Sequence, residues 1–175
     1  METKINKQKF KHQNFSPSGE IGLLSDYDIR IRSARFNDIN NIKALSAKYN
    51  FEPNRNWNQL YLDKDVEIYT ITNKGNFIGF TGLIHQNWNR TLQILDIFIN
   101  PHLRKMGIGG IAINFLLNRA KRMNNYRCII VEAPAKDGID KFYAKFGFRK
   151  CGYNDRYYTN NNDGNIAIFM SYDLH

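Results

Sequence analysis

The chain has 175 residues, 42% of them hydrophobic and 14% aromatic, and a net charge of +9. That is one domain's length with material for a packed core, which excludes a disordered chain, and no apolar run approaches the roughly 18 residues of a membrane span. Two cysteines, Cys128 and Cys151, do not make a disulfide framework or a metal site.

No apolar stretch follows Met1, so no secretory signal is expected, and the reading is a cytoplasmic protein with reduced thiols. The positive balance implies anionic company: nucleic acid, an acidic surface or a polyphosphate ligand. Residues 1–26 carry Lys4, Lys7, Lys9 and Lys11 around Ser16-Pro17-Ser18-Gly19 and read as a flexible basic arm ahead of a single domain, 27–175.

From Asp28 the pattern is orderly. Ile29 and Ile31 alternate with Arg30 and Arg32, which predicts a strand. Asn37-Asp38 offers a helix N-cap, and Ile39, Ile42 and Leu45 follow at helical spacing. A short helix is predicted over 54–62 behind Pro53, with Trp57, Leu60 and Tyr61 on one face. Strands are expected over 66–72 and 77–85 about a Lys74-Gly75-Asn76 turn, and over 91–99, where Pro101 ends the run.

A helix over 109–123 has the stripe Ile113, Leu116, Leu117 and Ala120. A buried strand over 127–132 follows, then a helix over 137–146 closed by Gly147. Two strands, 148–158 and 166–172, flank the loop Asn160 to Gly164. The order β α α β β β α β α β β predicts one mixed sheet with helices on both faces, an α/β (α+β) architecture.

The segment Asp96 to Gly110 carries the chemistry. A strand ends, a loop bears Arg104 and Lys105, and glycines open a helix. Free N–H groups at a helix N-terminus bind phosphate, and glycine lets the backbone approach closely. The segment Gly107 to Ala112 also fits the dinucleotide pattern G-x-G-x-x-A, with Glu132 where a ribose-binding acid belongs. Against that reading, Pro101 separates the glycines from the strand, and too little chain remains for a doubly wound fold.

Arg104-Lys-Met-Gly107-Ile-Gly109 matches R/Q-x-x-G-x-G/A, and Phe142-Tyr143-Ala-Lys-Phe-Gly147-Phe148 matches F-Y-x-K-x-G-F. In this order, one helix and one strand apart, the two motifs resemble the GNAT superfamily of N-acetyltransferases over about residues 28–174. The resemblance implies a mixed central sheet of about six or seven strands, about four flanking helices and splayed central strands. It implies acetyl-CoA as co-substrate, with no metal. Backbone groups of Lys105, Met106, Gly107, Ile108, Gly109 and Gly110, with Arg104, would hold the pyrophosphate. Main-chain groups of Ile97 and Ile99 would pair with the pantetheine arm, and an N–H near Phe98 would serve the oxyanion.

Tyr143 matches the position that often protonates the leaving thiolate; it also lies on an apolar helix stripe, where a core tyrosine would sit. For the base the candidates are Asp96, polar within an apolar strand, and Glu132, with His85 a further one. The sequence departs from the family at Lys136, where an asparagine is common, and at Ile139, where a small residue is common. The implied reaction is acetyl transfer to an amine-bearing acceptor, a small molecule, peptide or protein, by a monomer or homodimer away from membranes. The charge keeps two alternatives open: a toxin acetylating aminoacyl-tRNA, so an RNA partner, and a non-catalytic acyl-CoA-binding protein. Trp57, Tyr157 and Tyr158 are candidate pocket aromatics or ordinary half-buried ones.

Overall fold

The computed structural model describes residues 20–24, 27–135, 138–158 and 166–175. Strand β1 (Glu20–Leu24) pairs antiparallel with β2 (Tyr27–Ser33). In β2, Ile29 and Ile31 are fully buried while Arg30 is exposed, as the alternation requires. Helix α1 (Asp38–Lys48) and the short α2 (Trp57–Leu62) follow.

Asn37 precedes α1 but makes no side-chain cap. Asp38, the first helical residue, instead ties down the chain that enters the helix: its carboxylate accepts the Arg35 N–H at 2.7 Å and two Arg32 guanidinium bonds at 2.7 and 3.0 Å. The Arg32 hydrogen bond holds the Asp38 carboxyl below its ordinary range, against the opposing effect of burial. Helix α2 begins at Trp57, later than Pro53 suggests, because Asn56 caps it by accepting the Gln59 N–H at 3.2 Å.

Strands β3 (Val66–Asn73) and β4 (Asn76–Gln86) form a hairpin. Both turn residues, Lys74 and Gly75, have positive φ, the geometry that matches strand twist in a two-residue loop. Strand β5 (Thr91–Ile99) continues the antiparallel meander. A 3₁₀ turn (Pro101–Leu103) leads through a loop to α3 (Ile108–Met123), which crosses to β6 (Cys128–Pro134), parallel to β5. Helix α4 (Ile139–Ala144) and the strands β7 (Arg149–Asn154) and β8 (Ala167–Asp173) complete the fold.

The sheet order is β1-β2-β3-β4-β5-β6-β8-β7. The expected mixed sheet with helices on both faces is thus present. The expected stretch 1–26 lies outside the described residues, apart from Glu20–Leu24, which supplies the additional edge strand β1. Lys136 and the loop Asn160 to Gly164 also lie outside them.

Each face of the sheet has its own core. On one, Ile113, Leu116 and Ala120 of α3 pack on Ile29, Ile71, Leu92 and Ile129, with Tyr143 and Phe148 at the end. On the other, Ile39, Ile42 and Trp57 cover Ile68, Phe80 and Phe98. Phe80 and Phe98, paired across β4 and β5, stack at 5.5 Å between centroids. Strands β3, β4 and β5 each contribute to both layers.

Candidate active site

Strands β5 and β6 pair only at Thr91↔Cys128, Leu92↔Ile129 and Gln93↔Ile130. Beyond these pairs β5 stays with β4 and β6 with β8, so a wedge opens between them. Parity decides which β5 groups face the wedge. The Asn100 N–H donates to the Ile78 carbonyl at 2.9 Å, and Phe98 opposes Phe80. Antiparallel alternation then turns the N–H and C=O of Phe98 toward β4 and those of Ile97 and Ile99 toward the wedge.

A close approach agrees with this: a Cβ on Gly79 would stand 2.3 Å from the Phe98 carbonyl oxygen. The expected oxyanion donor near Phe98 therefore cannot be Phe98's own N–H; the N–H groups facing the wedge are those of Ile97 and Ile99. The Ile99 carbonyl accepts Arg104 Nε at 3.2 Å, and the Arg104 guanidinium lies 5.5 Å from the Phe98 ring centroid.

A β-bulge aims the carboxylate. Thr81 opposes Ile97 and Leu83 opposes Ile94, so Leu95 and Asp96 together face Gly82. No side chain fits at Gly82, where a Cβ would stand 2.6 Å from the Glu67 carbonyl oxygen. Thr81 Oγ1 donates to the Asp96 carbonyl at 2.7 Å and anchors the bulge. The extra residue takes Asp96 out of the apolar alternation.

Its carboxylate meets the Arg55 guanidinium, which also lies 3.4 Å from Glu52 and 5.1 Å from the Trp57 ring centroid. Burial pushes the Asp96 carboxyl up to about 7; Arg55 opposes this and Glu52 adds to it. A carboxyl near neutrality is suited to proton transfer.

Tyr143 comes from the end of α4. The Gly147 N–H donates to the Ala144 carbonyl at 3.1 Å and the Phe148 N–H to the Tyr143 carbonyl at 3.4 Å. With Gly147 at φ +90°, this is a Schellman closure, and its apolar contact is Tyr143 on Phe148, 5.5 Å between centroids. The helix end thus fixes the Tyr143 ring.

Burial, then the nearby Asp96 and Tyr158, push the Tyr143 phenol well above its ordinary value, so it rests protonated. Two other buried tyrosines, Tyr69 and Tyr126, hydrogen-bond Glu67 and Asn87. The Tyr143 hydroxyl has no such partner among the described residues, and it is not sealed from solvent. Buried tyrosines normally satisfy their hydroxyl, so this one is available to a ligand.

Glu132, on β6, faces the same region but is engaged. Its Oε2 accepts Gln93 Nε2 at 2.9 Å and the Tyr157 hydroxyl, while its carbonyl accepts the Tyr158 hydroxyl at 3.1 Å. Burial and the fields of Glu132, Glu52 and Asp96 raise the Tyr158 phenol to about 12. Glu132 thus contacts both Tyr157 and Tyr158, and the charges of Glu52 and Asp96 act on Tyr158 from further off. His85 lies elsewhere: Nδ1 is 2.6 Å from the Tyr126 hydroxyl, and Nε2 is 3.3 Å from Glu67 without hydrogen-bond geometry. It belongs to a polar cluster at the far end of β4.

The loop before α3 is built to present donors. Lys105 and Gly107 both have positive φ, and Gly107 stands at the helix N-cap. The Gly110 and Ile111 N–H groups turn back to the Gly107 carbonyl, at 3.0 and 3.2 Å. Those of Lys105, Met106, Gly107, Ile108 and Gly109 take no acceptor among the described residues. The residues present fit a phosphate-bearing ligand. Ile108 contributes only backbone, its side chain being buried. Gly109 and Gly110 differ from the expectation of ligand approach: a Cβ there would stand 3.2 Å from Phe142 and 3.0 Å from Phe146. They let α3 close on the α4 region.

The structure thus brings Asp96, Tyr143, the Ile97 and Ile99 backbone and the Lys105–Gly109 donors to one wedge. Arg55 and Glu52 escaped the sequence reading; only a tertiary contact places them beside Asp96. A donor loop at a helix N-terminus beside a splayed strand, with a buried carboxyl and a protonated phenol nearby, is an arrangement that suits acyl transfer. The sequence matches the acetyltransferase (GNAT) family over residues 34–148, and the chain belongs to that family.

A streptothricin acetyltransferase of Streptomyces lavendulae is 30% identical over 102 residues, covering 55% of this chain and 52% of its own length. The chain spans about half the length of that curated relative. A Vibrio cholerae spermidine N-acetyltransferase in complex with CoA and spermine superposes with a TM-score of 0.72 at 19% identity, covering 83% of this chain and 95% of the other. The Escherichia coli ribosomal-protein-S18-alanine N-acetyltransferase gives 0.68 at 15% identity, with 83% and 94% covered. Among the described residues no helix is long and apolar enough to cross a membrane.

Proposed function

We propose that the chain moves the acetyl group of acetyl-CoA to a primary amine by direct attack within a ternary complex. The observation that carries this reading is the wedge between β5 and β6, with Asp96 and Tyr143 on its walls. The Lys105–Gly109 N–H groups, with Arg104, bind the pyrophosphate. The backbone of Ile97 and Ile99 holds the thioester arm along the strand, and an N–H of this pair faces the developing oxyanion.

Asp96 takes a proton from the incoming ammonium, and the freed amine attacks the thioester carbon. The C–N bond forms, the C–S bond breaks, the leaving thiolate takes the Tyr143 hydroxyl proton, and the second proton shed by the nitrogen as the amide forms returns to the Tyr143 phenolate. A phenol held above its ordinary value stays protonated until that moment.

The acceptor is cationic in this reading. Glu132 accepts the Tyr157 hydroxyl, and Glu52 and Asp96, both paired with Arg55, add negative charge in the field of Tyr158. That lining favours an amine or polyamine over an RNA-borne acceptor. The relatives point the same way, since one is a spermidine and another a streptothricin acetyltransferase. The free thiols Cys128 and Cys151 suit a reducing cytoplasm.

Calorimetric titration with acetyl-CoA tests the reading, with an Arg104→Ala, Gly107→Ala double variant as control. Micromolar binding that the variant loses is expected. A folded wild type that binds no acetyl-CoA overturns it.

A further inference from the structure

Arg55 lies in the loop between α1 and α2, yet it is committed to the site. Its Nη1 pairs with Asp96 Oδ2, its Nη2 lies 3.4 Å from Glu52 Oε2, and its guanidinium faces Trp57 at 5.1 Å. The Arg55 side chain is 20% exposed and that of Asp96 11%. Trp57 is itself buried in the α1–α2 core beside Phe80, at 5.0 Å between ring centroids. Core packing therefore fixes the platform on which the guanidinium rests, and the β5 bulge fixes the carboxylate it meets.

Taking the acetyl-transfer reading as its base, we propose that Arg55 is the positioning residue of this site. Braced by Glu52 and Trp57, its guanidinium holds the Asp96 carboxylate charged and aimed at the wedge, ready for the proton of the acceptor ammonium.

Two effects compete at Asp96. Burial favours the neutral acid, which cannot accept a proton, while the guanidinium favours the anion. Glu52 acts with burial through its own charge, but its contact to Arg55 keeps the cation in place. Tyr143 from α4 and Tyr158 beyond β7 are the other titratable groups in the field of Asp96; burial holds both phenols neutral. Arg55 is thus the cation that sets the charge of Asp96. The arginine fork matters as well as the charge, because it touches two carboxylates from a planar face lying on an indole.

The test is the pH profile of acetyl-CoA turnover in the full chain, with spermidine, a lysine peptide and glycinamide each tried as acceptor. Arg55→Gln is compared with Arg55→Lys, and Asp96 is followed in the same samples by ¹³Cγ NMR titration. In Arg55→Gln the acid limb of kcat/KM and the Asp96 midpoint move up together by about one pH unit or more, a roughly tenfold loss at neutral pH. Arg55→Lys brings both most of the way back. Turnover scaled down equally at every pH, with an unmoved limb, overturns the positioning role and leaves the enzyme reading standing. Loss of turnover with all three acceptors in the wild type overturns the enzyme reading, and this role with it.

Discussion

A Cβ on Gly109 would stand 3.2 Å from Cζ of Phe142, so the first turn of α3 and the helix bearing Tyr143 touch where only hydrogen fits. Phe142 in turn lies 5.3 Å from the Tyr143 ring centroid. A methyl at position 109 pushes on Phe142 and, through it, on Tyr143. Gly109→Ala is expected to destabilise by about 1 kcal/mol, the overpacking outweighing the gain in helix propensity. Its kcat falls about tenfold or more through misplacement of the acid, with acetyl-CoA affinity little changed. Gly107→Ala behaves oppositely: strain at φ +83° costs about 1 kcal/mol in the donor loop, and acetyl-CoA affinity falls while kcat at saturation holds. Steady-state kinetics and calorimetry on the pair distinguish the two roles.

Tyr143→Phe removes a hydroxyl that has no partner among the described residues. No hydrogen bond is lost, so the thermal midpoint stays within a degree or two of wild type or rises. Turnover falls by about 10²-fold or more if the phenol is the acid, with unchanged acetyl-CoA affinity. Unchanged turnover would return Tyr143 to the ordinary core.

The pH profile follows from Asp96. As the proposed base Asp96 must be ionised, and burial raises its carboxyl to about 7. Activity is therefore high above neutrality and falls about tenfold per unit as pH drops below about 7. Asp96→Asn removes this limb along with most of the activity. A profile flat between pH 5 and 8 at about wild-type rate in Asp96→Asn would pass the role to another group.

The cluster at the far end of β4 governs stability instead. Glu67 accepts Arg119 at 2.7 and 3.1 Å and also the Tyr69 hydroxyl. Burial works against its charge, but the Arg119 and Tyr69 bonds prevail and hold the carboxyl below its ordinary value. A depressed acid contributes stability above its unfolded value and loses it as pH falls through the folded one. Arg119→Met is expected to cost about 1–2 kcal/mol at pH 7 and progressively less as pH falls and Glu67 becomes protonated, as urea melts across an acid pH series will read. His85→Gln lowers stability without altering kcat.

What the sequence made legible is what lies along one element. The apolar alternation of β2 and β5, the stripe of α3 and the Gly147 closure are all local patterns. Asp96 stood out for its polarity among Ile94, Leu95, Ile97 and Phe98. The rest depends on contacts between elements. The pattern could not show that Leu95 and Asp96 share one partner, or that Arg55 reaches across to Asp96. Gly109 and Gly110 looked like ligand-facing residues because the rings against them sit on α4 and on the turn that follows it. Helix α4 spans Ile139–Ala144, shorter at both ends than the 137–146 suggested by the spacing of Ile139, Phe142, Tyr143 and Phe146, because a left-handed Gly138 precedes it. The apolar residues of Glu20–Leu24 were masked by the lysine-rich stretch before them.

The three pairs joining β5 to β6 also divide the molecule in time. Strands β3 to β5 are consecutive antiparallel neighbours joined by short turns and can zip from one hairpin to the next, whereas the seam must close a loop from Gln93 to Ile130, as the β2–β3 pairing must from Ser33 to Tyr69. The seam is therefore expected to form after the β3–β5 meander, and its amides to exchange before those of the β3–β4 hairpin. A ligand laid along Ile97 and Ile99 would lengthen that seam and act as a late folding contact, slowing the opening of the two halves.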